Sequence, residues 1–236
     1  MIFQDPLLTG NLVRRYKRFF AEIVLSDGET ITAHCPNSGS MLSILESGST
    51  VWVSRANNPK RKLKYTWELT QISNVMIGVN TNHPNKLAEE AICRGIIKEL
   101  QDYKTLRREV KYGKNSRIDI LLERENGSKC FVEVKNVTMK RDTEVNGVVE
   151  FPDGVTTRGA KHLDELSQMV AEGHRSVMLF LVQRDDCASF RLARDIDPNY
   201  GRAYDQAKLA GVEFISYACQ VTPEKIDVTK QIALLE

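Results

Sequence analysis

Asp119, Glu133 and Lys135 stand within SRIDILLERENGSKCFVEVKNV, residues 116–137, inside two strand-like runs. Strands that build a core seldom carry ionised groups at their centres, because an unpaired buried charge is costly. Two carboxylates and an ammonium gathered there would have a chemical use. A hard divalent cation, Mg²⁺ or Mn²⁺, takes oxygen ligands and is held by one or two carboxylates together with phosphate oxygens and water. A lysine beside it can orient or help deprotonate a water, or steady charge building on a phosphoryl group. Acid, acid and lysine around a metal is phosphodiester chemistry. An ordinary exposed strand face with a surface salt bridge would show the same residue types, so their placement has to be argued.

Placement depends on hairpin register. A two-residue Asn126-Gly127 turn would put Ile118, Ile120 and Leu122 on the same face as the charges. A three-residue loop, Glu125-Asn126-Gly127, with Gly127 left-handed in a G1 bulge, sets Asp119 opposite Glu133. One face then carries Asp119, Leu121, Phe131, Glu133 and Lys135, and the other Ile118, Ile120, Leu122, Cys130, Val132 and Val134. A one-residue slip would drive the acids into that apolar face, so burial selects the second register. Facing carboxylates repel unless something offsets them, and a cation would.

The surrounding elements divide the chain. Up to about residue 80 it reads as short strands, Phe19–Leu25, Thr30–His34, Thr50–Ser54, Thr66–Ile72 and Val75–Val79, separated by turn clusters such as Ser26-Asp27-Gly28. Five short strands in that length fit a small barrel of the oligonucleotide-binding (OB) type. Beyond VNTNHPN the apolar spacing turns helical over Lys86–Leu100. Strands over Leu106–Tyr112, Arg117–Leu122 and Lys129–Val137 follow, then a helix over Gly159–Ala171, a central strand over Val177–Gln183, a helix over Tyr200–Leu209 and a strand over Val212–Ala218. The expected fold is a two-domain α+β protein, with an OB-like barrel over residues 1–82 and a nuclease-like α/β domain with a mixed central sheet over 83–236.

That helix–strand–strand–strand–helix–strand order, with both acids on one sheet face, resembles the PD-(D/E)xK nuclease superfamily. Asp119 takes the place of the first acid, Glu133 the second and Lys135 the motif lysine, while Ile118 stands where the motif's name has proline. Such nucleases often add a glutamate from the preceding helix as a further metal ligand or water-orienting base. Glu90, sharing a helix face with Leu87, Ala91, Arg94 and Ile97, is the candidate here; a solvated acid paired with Arg94 is the alternative. In TTRGAKHLDEL, Thr157 is the expected N-cap, and Arg158, Lys161 and His162 surround a helix N-terminus able to take a phosphate.

HCPNSGSM, KLKYTWEL, SRIDILL, FVEVKNVT, FPDGVTTRGAKHLDEL and IDPNY together resemble the sugar fermentation stimulation protein (SfsA) family, over residues 34–200. SILESGS departs from that family's proline-containing turn, at a position away from the acids. The resemblance implies an N-terminal OB-like domain, a C-terminal nuclease-like domain, non-specific DNA binding and a regulatory role in maltose metabolism. It does not imply an established nuclease activity.

Two basic clusters could hold DNA, single- or double-stranded and with little sequence preference: Arg14, Arg15, Lys17 and Arg18, interleaved with Tyr16, Phe19 and Phe20, and Lys60, Arg61, Lys62 and Lys64, followed by Tyr65. OB barrels pair cations with phosphates and rings with bases, although charged loops are also commonly just solvated. The polar loop His34–Asn37 is open between a sugar or base contact and a packed turn. A net charge of +2 decides nothing about a polyanionic partner. Five scattered cysteines without a C-x-x-C pair suit reduced thiols in the cytoplasm. No apolar run is long enough to span a membrane, and homodimer formation is left open. Three functions compete: a DNA-binding, divalent-metal phosphodiesterase, a non-catalytic DNA-binding regulator that keeps the nuclease scaffold, and a sugar binder.

Overall fold

The computed structural model describes all residues except Pro59, Lys114, Asn115, Thr143, Val145 and Glu236. The first six strands are β1 (Leu8–Tyr16), β2 (Phe20–Leu25), β3 (Thr30–His34), β4 (Thr50–Arg55), β5 (Tyr65–Ile72) and β6 (Val75–Gly78). β1 pairs antiparallel with β2 and β4, and β3 with β2; β4 pairs with β5, and a parallel β3–β5 contact closes a five-stranded barrel that β6 extends. Ile23, Ile31, Val51, Val53, Trp67 and Ile77 fill it. β1 has no counterpart among the expected strands. Only Gly10 and Leu12 of its nine residues are buried, too few to give an alternating signal. Gly10 is required there, since a Cβ would lie 2.6 Å from the Val24 carbonyl oxygen.

The remainder comprises α1 (Pro84–Cys93), β7 (Thr105–Tyr112), β8 (Ser116–Glu123), β9 (Lys129–Val137), β10 (Gly147–Phe151), α2 (Thr157–Ala171), β11 (Arg175–Val182), β12 (Cys187–Leu192), α3 (Pro198–Leu209), β13 (Glu213–Val221), β14 (Ile226–Gln231) and β15 (Ala233–Leu234). A six-stranded mixed sheet runs β14-β13-β11-β9-β8-β7, with β11 parallel to both β9 and β13. β11 is buried along almost its whole length, as its apolar run requires. β10, β12 and β15 form a small separate parallel sheet. α1 covers one face with Leu87 and Ala91 against Ile120, Val132 and Leu179, and this core reaches into the barrel through Trp52 and Leu69. α2 and α3 cover the other face, where Leu163 and Tyr200 meet Leu121, Phe131 and Phe180.

Helix ends differ from expectation for local reasons. α1 stops at Cys93, not Leu100, because the chain turns at Gly95 with φ +70°; a single 3₁₀ turn over Lys98–Leu100 follows. Thr156, not Thr157, caps α2, its Oγ1 accepting from Gly159 N–H at 3.0 Å. α3 begins two residues early because Asp197 caps it and Pro198 suits the first turn.

The hairpin has the register that the three-residue loop demands. Ile120 pairs with Val132 and Leu121 with Phe131, and Gly127 is left-handed with φ +81°. One face assignment is corrected: Ile118 packs with Leu121 and Phe131 on the α2 side, not with Ile120. The β7–β8 ladder skips the Glu109–Asp119 pair, and Glu109 has φ +54°. That irregularity re-aims the strand at Asp119, as interruptions beside functional sites commonly do.

Candidate functional site

Asp119 lies at the break in β8. Its carboxylate accepts from Asn85 Nδ2, at the start of α1, and from Val134 N–H in β9, each at 2.8 Å. Glu133 is 2% exposed. Its Oε1 accepts from Lys135 Nζ at 2.7 Å and is bonded to His162 Nδ1 of α2. Arg158 Nε donates to His162 Nε2 at 3.3 Å. An ionised carboxylate oxygen can only accept, so His162 donates to Glu133 from Nδ1.

The two acids diverge electrically. Burial, and then the charge of Glu133, push the Asp119 carboxyl up to about 6, against the hydrogen bonds from Val134 and Asn85. Burial also works against ionised Glu133, but Lys135 and His162 outweigh it and hold that carboxyl below the usual range. Divergence of this kind between neighbouring acids accompanies acid–base function.

Glu133 Oε2, Glu165 Oε2 and the hydroxyls of Tyr112 and Tyr200 are buried with no hydrogen-bond partner among the described residues. Burial and then the charge of Glu133 raise the pKa of both tyrosines. Such atoms forfeit their hydration without compensation. An unmatched carboxylate oxygen on Glu133, beside a carboxyl that burial and the Glu133 charge push up to about 6, is a donor set that fits a hard cation. Among the described residues no three His, Cys, Asp or Glu side chains could hold an ion unaided. Two carboxylates would therefore need substrate oxygens or water to complete the shell.

Lys135 lines a cleft of about 770 Å³ between the barrel and the second half, together with Arg18, Asn37, Asn85, Asn136 and Gly154. The HCPNSGSM loop and the Ser43 that follows it fasten the two halves across the cleft. Ser40 Oγ donates to the Asp153 carbonyl, Met41 N–H to Asp153 Oδ2 at 2.8 Å and Lys140 N–H to Ser43 Oγ at 3.0 Å. Asn37 spans Val79 O and Gly39 N–H, which gives that loop a packing role.

The other expected site residues disperse. Glu90 pairs with the Met1 amino group at 2.7 Å and with Lys86 at 3.9 Å, apart from the Asp119 and Glu133 pair. Arg15 reaches the carbonyls of Arg18, Asn37, Gly39 and Ser40, so its guanidinium holds the loop. Arg14 pairs with Glu22 at 2.7 Å and lies over Tyr16. Lys17 and Arg18 form the exposed β1–β2 turn. Lys60, Arg61, Lys62 and Lys64 lie between β4 and β5, outside the cleft lining. Lys161 reaches Ser116 Oγ and Glu165, at 3.3 and 3.5 Å. Asn85 and His162 take roles at the acids that the sequence reading did not give them. For His162 the signal was its place one helical turn after Arg158 on a buried face; Asn85 had none.

Residues 13–79 match the SfsA N-terminal OB domain and residues 82–225 the sugar fermentation stimulation protein RE domain. A sugar fermentation stimulation protein homolog from Maricaulis maris is 55% identical over 226 residues, 96% of this chain and 95% of the relative. The Rhodospirillum rubrum homolog is 53% identical, with 94% of each chain covered. The structure of Pyrococcus furiosus SfsA in complex with Ca²⁺ matches with a TM-score of 0.89 and 22% identity, over 100% of this chain and 98% of that one. No helix among the described residues is long and apolar enough to cross a membrane. On these matches, with the barrel and mixed-sheet domain in the same order, the chain belongs to the sugar fermentation stimulation protein (SfsA) family.

Proposed function

We propose that this chain binds DNA with little sequence preference and cleaves phosphodiester bonds with a divalent ion, Mg²⁺ or Mn²⁺, held by Asp119 and Glu133. The observation that carries the reading is the unpartnered Oε2 of Glu133 beside a carboxylate whose pKa is raised to about 6. The bound ion would supply Lewis acidity and charge neutralisation at the phosphate. Asn85 and Val134 N–H hold the Asp119 carboxylate in place. His162 and Lys135 both fix Glu133 through Oε1, which leaves Oε2 as its open donor. Lys135, at the cleft wall, is positioned to receive a phosphate oxygen or orient a water. That the Pyrococcus furiosus relative is described in complex with Ca²⁺ supports a divalent ion here. The free thiols support a reducing, cytoplasmic setting.

The test is cleavage of DNA by the purified protein with Mg²⁺ and with Mn²⁺, run beside Glu133→Gln. A second reading, a DNA-binding regulator of sugar metabolism without catalysis, draws on the fact that Lys135 already neutralises Glu133. Unchanged DNA affinity in Glu133→Gln, with no cleavage by either protein under any metal, would favour it. His162 acts through Glu133 and is a positioning residue. His162→Ala is expected to lower metal-dependent cleavage by about 10–100-fold, as loss of outer partners does. His162→Gln, which keeps a donor, should restore part of that rate; equal rates in both variants would remove His162 from the scheme.

A further inference from the structure

The cleft beside Lys135 constrains what could reach the acids, and this argument rests on the phosphodiesterase reading. At about 770 Å³ it is within the ~300–1,000 Å³ of pockets that enclose small ligands, whereas a B-form duplex is a rod whose major groove alone is ~12 Å wide. The walls do not part freely. Asp153 is bonded to Ser40 and Met41, Lys140 to Ser43, and Gly78 N–H to the Gln183 carbonyl at 2.9 Å. Trp52 and Leu69 are embedded in the core under β8 and β9.

The rim carries a second observation. Lys17 and Arg18 turn from β1 into β2 with φ +46° and +62°, although neither is glycine. A tight hairpin turn requires that region of its central residues, and it holds both cations at the tip of the turn. Arg18 lines the cleft, and the next residue, Phe19, is 46% exposed. A bare aromatic ring beside cations is how proteins hold bases that are already unstacked, with phosphates on the cations and a base on the ring. Paired bases in a duplex have no free face to offer.

We infer that the substrate of the proposed site is single-stranded DNA, led from the β1–β2 turn into the inter-domain cleft toward Lys135. Phe19 stacks a base at the entrance, Arg18 takes a phosphate, and the cleft admits one strand.

The test uses the full chain and a labelled oligonucleotide of about 16 nucleotides, the upper end of single-barrel site sizes, offered single-stranded and as a blunt duplex. Binding is read by fluorescence anisotropy in EDTA and cleavage on gels with Mn²⁺. The single strand should bind at least ~10-fold tighter and be cut in preference. Phe19→Ala should weaken single-strand binding by about 10–100-fold, the range for loss of one base–aromatic stack. Gly154→Leu adds bulk to the cleft wall where a Cβ meets nothing within 4 Å; it should weaken single-strand binding at least ~10-fold without lowering the thermal midpoint. Equal or tighter duplex binding, or single-strand binding unmoved by Gly154→Leu, overturns this inference, while metal-dependent duplex cleavage would leave the proposed function standing. If neither form is bound or cut, both fall.

Discussion

Glu133→Gln is expected to lower Mg²⁺- or Mn²⁺-dependent DNA cleavage by at least ~10²-fold, on the scale seen when a preorganised charge-stabilising group is lost. The substitution keeps the volume of a side chain that is 2% exposed and removes the negative charge from the oxygen proposed to hold the metal. It also leaves the Lys135 ammonium, 2.7 Å away, without its anion. Breaking a buried ion pair from one side costs about 3–5 kcal/mol; Lys135 reaches the cleft, so the loss here should fall below that range. Circular dichroism and the thermal midpoint separate lost folding from lost chemistry. Lys135→Met, which removes the ammonium and keeps the acid, should also abolish cleavage while retaining divalent-ion binding. A folded Glu133→Gln protein that cuts DNA at the original rate would remove this acid from the reaction.

Asp119 makes a contribution to the pH dependence of stability opposite in sign to that of carboxyls such as Glu68 and Glu133, which are held below the usual range. Its carboxyl ordinarily titrates near 3.8 and in the fold near about 6. Between those values Asp119 holds its proton more firmly in the folded state than in the unfolded chain, so its own contribution to stability falls as pH rises through the window. Below 3.8 both states are protonated and the penalty is absent; above about 6 it is complete. The difference corresponds to about 3 kcal/mol. Asp119→Asn should therefore stabilise the protein in EDTA at pH 7 by up to about 3 kcal/mol, with no gain at pH 3.5. The amide oxygen still accepts from Val134 N–H, and Asn85 can turn its own amide to accept from the new NH₂ group. Urea midpoints across pH measure this. Saturating Mg²⁺ should stabilise the parent protein at pH 7, by about 2.7 kcal/mol at a hundredfold excess over its dissociation constant, and leave the variant unmoved. A variant no more stable at pH 7 than its parent would mean that Asp119 carries no such burden.

The hairpin and its acids were legible because burial leaves one register for VEV opposite IDILL, and an acid displaced by one residue would enter the core. The central strand was legible for the same reason. Ile118 was misplaced because the break comes from Glu109 on a neighbouring strand, which alternation within β8 does not register. β1 was hidden in a stretch whose only fully buried residues are Gly10 and Leu12. His162 meets Glu133 from 29 positions away, a pairing that needs the β9–α2 geometry before it has meaning. Arg15 shows the limit for charge clusters. Next to Arg14 and Lys17 it reads as one more phosphate ligand, yet its guanidinium is taken up by four main-chain carbonyls. Whether an arginine points outward or closes on its own backbone is decided by tertiary structure alone.

Trp52 and Leu69 bed down among Leu87, Ile120 and Val132, so barrel strands β4 and β5 and the strand that bears Asp119 lean on the same solid. Close-packed interiors transmit load and have little give. The first half thus rests on the same apolar core that backs the strand of Asp119. For the same reason neither half could be swapped for a foreign counterpart without baring an oily flank on the other.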